Sequence, residues 1–271
     1  MTTSVQWQLA REAAERYQTI LTPAILGPFA RALVDFAALE HGEQVVDIGC
    51  GTGAAARYAA ELAGFSGMVI GVDKNASMIE VANGLPSVQG AAIEWREADV
   101  VQLPLADEQM DVILCAQTLQ FLPDKQAGLS EMWRVLRTDG RIVLSLWCSI
   151  SDNPYFEALI AAIDKHIGPE TAVGLQSAFS LTDGYAAFEL LREAGFRHID
   201  VSMTQLALPF PNLSEFVPRH ISATPMVAGF ERASASVQQE VIRDVITAMS
   251  RYGVNGRYQI PFKSHLIMGR K

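Results

Sequence analysis

Cysteine is scarce. The chain of 271 residues carries three, Cys50, Cys115 and Cys148, and none sits at metal-ligand spacing. An odd, dispersed set beside apolar strand-like runs argues against a disulfide scaffold and suits a reducing compartment. No apolar run approaches the ~20 residues of a membrane-crossing helix. The polar, charged N-terminus does not read as a signal peptide, so a cytoplasmic location without a membrane span is expected. Basic residues are outnumbered, 21 Lys and Arg against 30 Asp and Glu, for a net charge of −9. That balance disfavours a broad nucleic-acid surface, which needs clustered cations, although a local basic patch stays open. Neither the dinucleotide fingerprint Gly-x-Gly-x-x-Gly nor a P-loop Gly-Lys-Ser/Thr occurs. Internal repeats and low-complexity segments are also lacking.

What is present is a globular composition, 49% hydrophobic and 19% charged. The length fits one large α/β domain with additions, or two small ones. The organising stretch is Val45-Val46-Asp47-Ile48-Gly49-Cys50-Gly51-Thr52-Gly53, followed by an alanine-rich run to Ala63. It reads as a buried strand, a tight loop and a helix. Glycines there admit close backbone approach to a ligand, with loop N–H groups and the helix N-terminus expected to face it. Strands are predicted at 45–49, 68–73, 93–98, 110–116 and 141–147, with helices at about 53–63, 75–83 and 125–137. That alternation implies a parallel sheet covered on both faces, with ligands beyond the carboxyl ends of its strands.

Residues 1–40 read as two amphipathic helices. Trp7, Ala10, Ala14 and Tyr17 share a face, and Thr22-Pro23 reads as an N-cap followed by proline at the first helical position. Beyond 147, helices are expected at 153–167, 183–194, 213–222 and 236–251, with Asn153 capping the first. The last begins with Ser236 and Gln239 at capping-box spacing. Residues 168–180 read as loop or short turns. Strands are expected from His198 to Leu208 and at 258–269. The apolar content of the additions suggests either a greasy pocket or a packed lid.

Five segments in order resemble the class I S-adenosylmethionine-dependent methyltransferases, and among them the methyltransferase type 11 group, similar to ubiquinone/menaquinone C-methyltransferases. They are Val45 to Gly53, Gly71-Val72-Asp73, Arg96 to Asp99 with Leu103-Pro104-Leu105, Asp111 to Leu114, and Glu131 to Arg137 with Gly140. Asp139 stands where the family has the first of two glycines. The resemblance implies a doubly wound, mostly parallel seven-stranded sheet, a Rossmann-like methyltransferase fold with helical cover from the N-terminus and C-terminal insertions. It divides the chain into a cover at 1–40, a cofactor-binding domain at 41–208 and 258–271, and a helical insertion at 209–257 that serves as substrate lid.

The resemblance also implies roles. Asp73 accepts both ribose hydroxyls of S-adenosyl-L-methionine, unless it is a plain strand-end residue. Lys74 and Met78 flank the adenosine, although Met78 reads equally as core. Asp99 accepts from the adenine amino group, with the Val100 N–H nearby, or is an ordinary loop residue. Asp47, Gly49, Cys50, Gly51 and Gly53 form the loop at the methionine end, and Gln117 meets that end from the fourth strand.

Methyl transfer from a sulfonium needs alignment and desolvation more than particular catalytic groups. No catalytic residue is therefore assigned. Tyr17, Gln120, His166 and His220 are weak candidates; Tyr17, Gln120 and Arg219 are the substrate-contact candidates. Each has a plainer reading, as packing, loop cap, core or solvated surface. Ala116 to Phe121 lacks the Asp/Asn-Pro-Pro-aromatic segment of nucleic-acid amino methylases, and Gln117 is not the acidic ligand that metal-dependent catechol-type methyltransferases need at the end of strand four, so no metal is expected. The expected acceptor is a small, apolar metabolite methylated at carbon or oxygen, by a monomer or homodimer. The alternatives are a non-catalytic cofactor-binding protein, an NAD-dependent oxidoreductase, and methylation of tRNA or protein.

Overall fold

The computed structural model describes residues 8–271; the expectation for Trp7 lies outside them. Five strands run parallel: β1 (Gln44–Ile48), β2 (Met68–Asp73), β3 (Ala92–Glu97), β4 (Met110–Ala116) and β5 (Leu136–Trp147). β6 (Arg197–Phe210) and β8 (Arg257–Arg270) complete the main sheet, ordered β3-β2-β1-β4-β5-β8-β6, with a two-residue β7 (Gly253–Val254) on β8. β8 is antiparallel to both of its long neighbours. The seven-stranded, mostly parallel expectation is met. Central strands β1 and β4 are buried along almost their whole length, the continuous apolar character of strands covered on both faces. Asp47 lies in register with Gly71 of β2 and Leu114 of β4, so the loops after these strands open at one edge.

The N-terminal cover differs from expectation. α1 (Arg11–Arg16), a π-helical segment (Tyr17–Leu26) and α2 (Gly27–Ala37) form one continuous helix. Thr22 does not cap a second helix. The Gly27 N–H instead bonds the Thr22 carbonyl five residues back, a wide turn that carries Pro23 through the helix. A Cβ on Gly27 would lie 2.7 Å from that carbonyl oxygen. The uninterrupted helix, Arg11–Ala37, is long and apolar enough by length and composition to cross a membrane, which its sequence run did not suggest; half of its most apolar window is buried inside the protein. It packs on α3 (Ala54–Ala63) and across β4 and β5. Arg141 fixes its C-terminal end, donating to the carbonyls of Ala37 and Ala38 while it pairs with buried Glu43.

The flanking helices α4 (Ala76–Gly84) and α5 (Lys125–Val135) lie near expectation. α6 (Pro154–His166), α7 (Pro169–Gln176), α8 (Gly184–Glu193), α9 (Leu213–Ser222), α10 (Val227–Arg232) and α11 (Ala235–Met249) make up the additions. α7 replaces an expected loop. Its buried residues include Ala172 and Gly174, too small to mark an apolar face in the sequence. Asn153 does not cap α6. It is fully buried, with Oδ1 accepting from the Lys263 N–H and Nδ2 donating to the Lys263 carbonyl, which ties the helix start to β8. α11 is capped by Ser234, not Ser236. Tyr155, Phe156, Phe210 and Phe230 of the additions pack in one core with Trp147 and Phe262.

Candidate active site

A cavity of about 510 Å³ opens beyond the carboxyl ends of β1, β2 and β4, with Tyr17, Thr22, Leu26 and Phe29 of the N-terminal helix as its cover. The glycine loop forms one wall. Gly49, Gly51 and Gly53 all have positive φ, at 67°, 53° and 87°. The space around them differs. A Cβ on Gly49 would collide with Thr118 and one on Gly53 with Trp95, whereas at Gly51 the nearest atoms belong to Tyr17, 3.9 Å away. Gly51 thus keeps open the gap between loop and cover. Gly53 is not in the cavity lining, and it makes room for Trp95 behind the loop.

Four of the loop N–H groups are used within the protein. Gly49 and Cys50 donate to the Val72 carbonyl, Gly53 to Cys50, and Gly51 to Asp73 Oδ2 at 2.8 Å. These four are turned to protein acceptors, where the sequence led one to expect loop N–H groups facing a ligand. Asp47 Oδ2 accepts from the Ala56 N–H in the first turn of α3 at 3.0 Å, while its Oδ1 is buried without a partner. Burial raises the Asp47 pKa to about 7.

At the end of β2, both Asp73 oxygens accept backbone N–H groups, from Gly51 and Asn75. Burial still pushes its pKa up. Lys74 Nζ bonds Asp99 Oδ2 at 2.6 Å, and this hydrogen bond draws the Asp99 pKa down. Met78 serves both readings: it lines the cavity and packs with Leu9, Ala14 and Val81. Tyr17 lies across from Gly51, its phenol pKa raised by burial and then by Asp73 and Asp47. It is placed to donate a hydrogen bond, not to act as a base. Cys50, Val100 and Gln117 complete the expected residues that line this cavity.

The remaining candidates lie elsewhere. Gln120 is buried behind the lining, bonded to Gln117. His220 bonds the Tyr155 hydroxyl at 3.0 Å inside the aromatic core, where burial lowers its pKa to about 3, so it is neutral and remote. His166 bonds Asp244 at 2.8 Å between α6 and α11, and Lys165 bonds the same carboxylate at 2.7 Å. Their hydrogen bonds, Lys165 first, hold Asp244 down at about 2. Among the described residues, His166, Glu240 and Asp244 are the group spaced to hold a metal. Cations already face both carboxylates, Lys165 at Asp244 and Arg243 at Glu240. Arg219 is exposed on α9 and does not line the cavity.

The apolar wall of Leu26, Phe29 and Leu122, which Phe121 of the expected Ala116 to Phe121 segment completes, was not marked as ligand-facing in the sequence. Periodicity marks such residues as buried and cannot say whether they meet protein or ligand. The charge of the lining is one-sided. Asp47, Asp73, Asp99 and Asp124 face it with Lys74 as the one cation. Such a donor set suits a cationic ligand carrying hydroxyl and amino groups. The one-sided negative charge opposes a pyrophosphate.

Residues 46–144 match the family model described as a methyltransferase domain. The arsenite methyltransferase of Halobacterium salinarum is 32% identical over 168 residues, 62% of this chain and 40% of that protein. The O-methyltransferase resE of Aspergillus sclerotiorum is 26% identical over 215 residues, 77% of this chain and 71% of that one. In fold, the chain resembles the Haemonchus contortus phosphoethanolamine N-methyltransferase 2 solved with phosphomonomethylethanolamine and S-adenosylhomocysteine. That likeness has a TM-score of 0.55 at 16% identity, over 89% of this chain and 52% of that one. The chain thus spans less than half of the first relative's length.

Proposed function

Residues 46–144 are a methyltransferase domain of the class I type, whose methyl donor is S-adenosyl-L-methionine, and from that premise we propose that this chain methylates a small, apolar metabolite at carbon or oxygen. The observation that carries the reading is the aspartate-lined cavity with one buried, unpartnered carboxylate oxygen, Asp47 Oδ1. A sulfonium and an ammonium are the charges such a lining accommodates. Bound donor supplies an electrophilic methyl group on its sulfonium. Everything else falls to the chain. Asp73 holds the ribose hydroxyls with the lone pairs its backbone bonds leave over. Asp99 and the Val100 N–H read the adenine edge, Met78 lies under the ring, and Asp47 pairs with the ammonium.

The acceptor side is the wall formed by Leu26, Phe29, Phe121 and Leu122. These residues desolvate the reacting pair and hold an apolar acceptor in line with the methyl group, the contribution that positioning makes to such a displacement. Tyr17 donates a hydrogen bond from the cover. Arsenite is a poor fit as acceptor, because a soft metalloid calls for thiolates. Cys50 is the cysteine at the cavity, its thiol pushed up by burial, and Cys115 and Cys148 do not line it.

Calorimetric titration with S-adenosylmethionine, S-adenosylhomocysteine and NAD tests the reading, followed by turnover on a panel of small aromatic and aliphatic hydroxyl and enol compounds. Micromolar binding of the first two and methylation within the panel support it. Binding without turnover favours a non-catalytic binding protein. Binding of NAD alone overturns it.

A further inference from the structure

Gln117 lines the cavity with its backbone at φ 50°, in the left-handed region that side-chain-bearing residues seldom adopt. A conformation of that kind persists where its surroundings hold it. Here the Gln117 N–H is shared between the carbonyl and the hydroxyl of Ser145, at 3.1 and 3.3 Å. The side-chain amide is held as well. Nε2 donates to Ser264 Oγ at 2.9 Å, and Oε1 accepts from Gln120 Nε2 at 3.3 Å. Ser264 stands on β8, 147 residues along the chain, and is completely buried.

The polarity of this chain of bonds follows from its far end. Ser264 Oγ lies 2.9 Å from the Leu146 carbonyl and 3.0 Å from its neighbour's, that of His265. Carbonyl oxygens only accept, so the single hydroxyl proton points to them and Oγ is left as an acceptor. The Gln117 amide must then turn its nitrogen to Ser264 and its oxygen to Gln120. A flip would set two acceptors against each other at Ser264 and two donors against each other at Gln120. The chain of bonds ends at Gln120 Oε1, which is buried without a donor. With its orientation set, the Gln117 amide has one N–H left over, on a residue at the cavity wall.

We infer that Ser264 is a positioning residue: from the last strand it orients the Gln117 amide so that its remaining N–H meets a carboxylate oxygen at the methionine end of the cofactor. The inference rests on the cofactor reading above. It also gives β8 a part in the site that none of the motif segments contains.

The test is calorimetry with two probes, S-adenosylhomocysteine and 5′-methylthioadenosine, which lacks the amino-acid end. Ser264→Ala is expected to weaken S-adenosylhomocysteine about fivefold, the worth of one oriented hydrogen bond, and to leave methylthioadenosine unchanged. In a Gln117→Ala background the same change should have no further effect. Ser264→Cys, which keeps the volume and weakens the acceptor, guards against simple misfolding and should follow Ser264→Ala. Equal losses for both probes, no loss for S-adenosylhomocysteine, or a full loss in the Gln117→Ala background would each overturn the inference while leaving the cofactor reading intact. Failure of the wild type to bind either probe overturns both.

Discussion

Asp73 Oδ2 accepts the Gly51 N–H at 2.8 Å, so the residue expected to hold the ribose also holds the glycine loop. The same carboxylate accepts the Asn75 N–H through Oδ1 and thereby sets the start of α4. Ligand recognition and loop shape are thus coupled in one side chain.

Asp73→Ala is expected to lower S-adenosylmethionine affinity by about 100-fold, the loss of two charge-assisted hydrogen bonds to hydroxyls. Asp73→Asn should lose less, because one acceptor oxygen remains. Titration calorimetry on both variants gives the ranking. Equal affinity of Asp73→Ala and wild type would remove Asp73 from the ribose.

Cofactor affinity should depend on pH through Asp47. Burial puts its pKa at about 7, and only the ionised form attracts an ammonium. Affinity is expected to be level above that pH and to fall by up to about tenfold per unit below it. Binding near neutrality should release a proton, visible as a dependence of the binding enthalpy on buffer ionisation. Asp47→Asn should abolish both effects. On stability the sign is reversed. Without ligand, the folded chain keeps this proton between the ordinary value of 3.8 and about 7 while the unfolded chain releases it. Asp47 therefore costs stability as pH rises through that window.

Gly27→Ala should destabilise the fold by about 1–3 kcal/mol, because the new methyl meets the Thr22 carbonyl inside the π turn. The strain falls on the segment that carries Thr22 and Leu26 to the cavity. Urea denaturation measures the loss. An unchanged midpoint would mean that the wide turn relaxes freely to an α-helical one.

Arg141→Leu is expected to cost about 3 kcal/mol or more. It strands Glu43, which is 9% exposed, and frees the Ala37 and Ala38 carbonyls at the end of the cover helix. The double variant Arg141→Leu, Glu43→Leu should recover part of that loss, since an apolar pair avoids the uncompensated charge. Denaturation of wild type, Arg141→Leu, Glu43→Leu and the double variant closes the cycle.

The central sheet was legible in the residues because a parallel strand buried on both faces leaves a near-continuous apolar run, as Val112 to Cys115 does and as Val45 to Ile48 does apart from Asp47. Acidic residues at strand ends and glycines after them are local signals, and the cavity gathers Asp47, Asp73 and Asp99 as strand order requires. Chemistry that depends on neighbours was not legible. His220 looked like a base and is a neutral core residue, because its titration is set by the buried surroundings that Tyr155 and the aromatic rings provide. Nor was it legible that Gly53 yields space to Trp95, 42 residues later in the chain.

By itself, the sequence determined the strand and helix alternation from 45 to 147, the glycine loop and the acidic residues that follow the strands, since each depends on spacing within a few turns of chain. Tertiary structure decided the rest. It turned loop N–H groups to Val72 and Asp73, carried Pro23 through a continuous helix, filled the additions with their own aromatic residues, and brought Ser264 to Gln117. Those outcomes depend on which groups meet across long separations, and hydrogen bonding and burial are settled only where they meet.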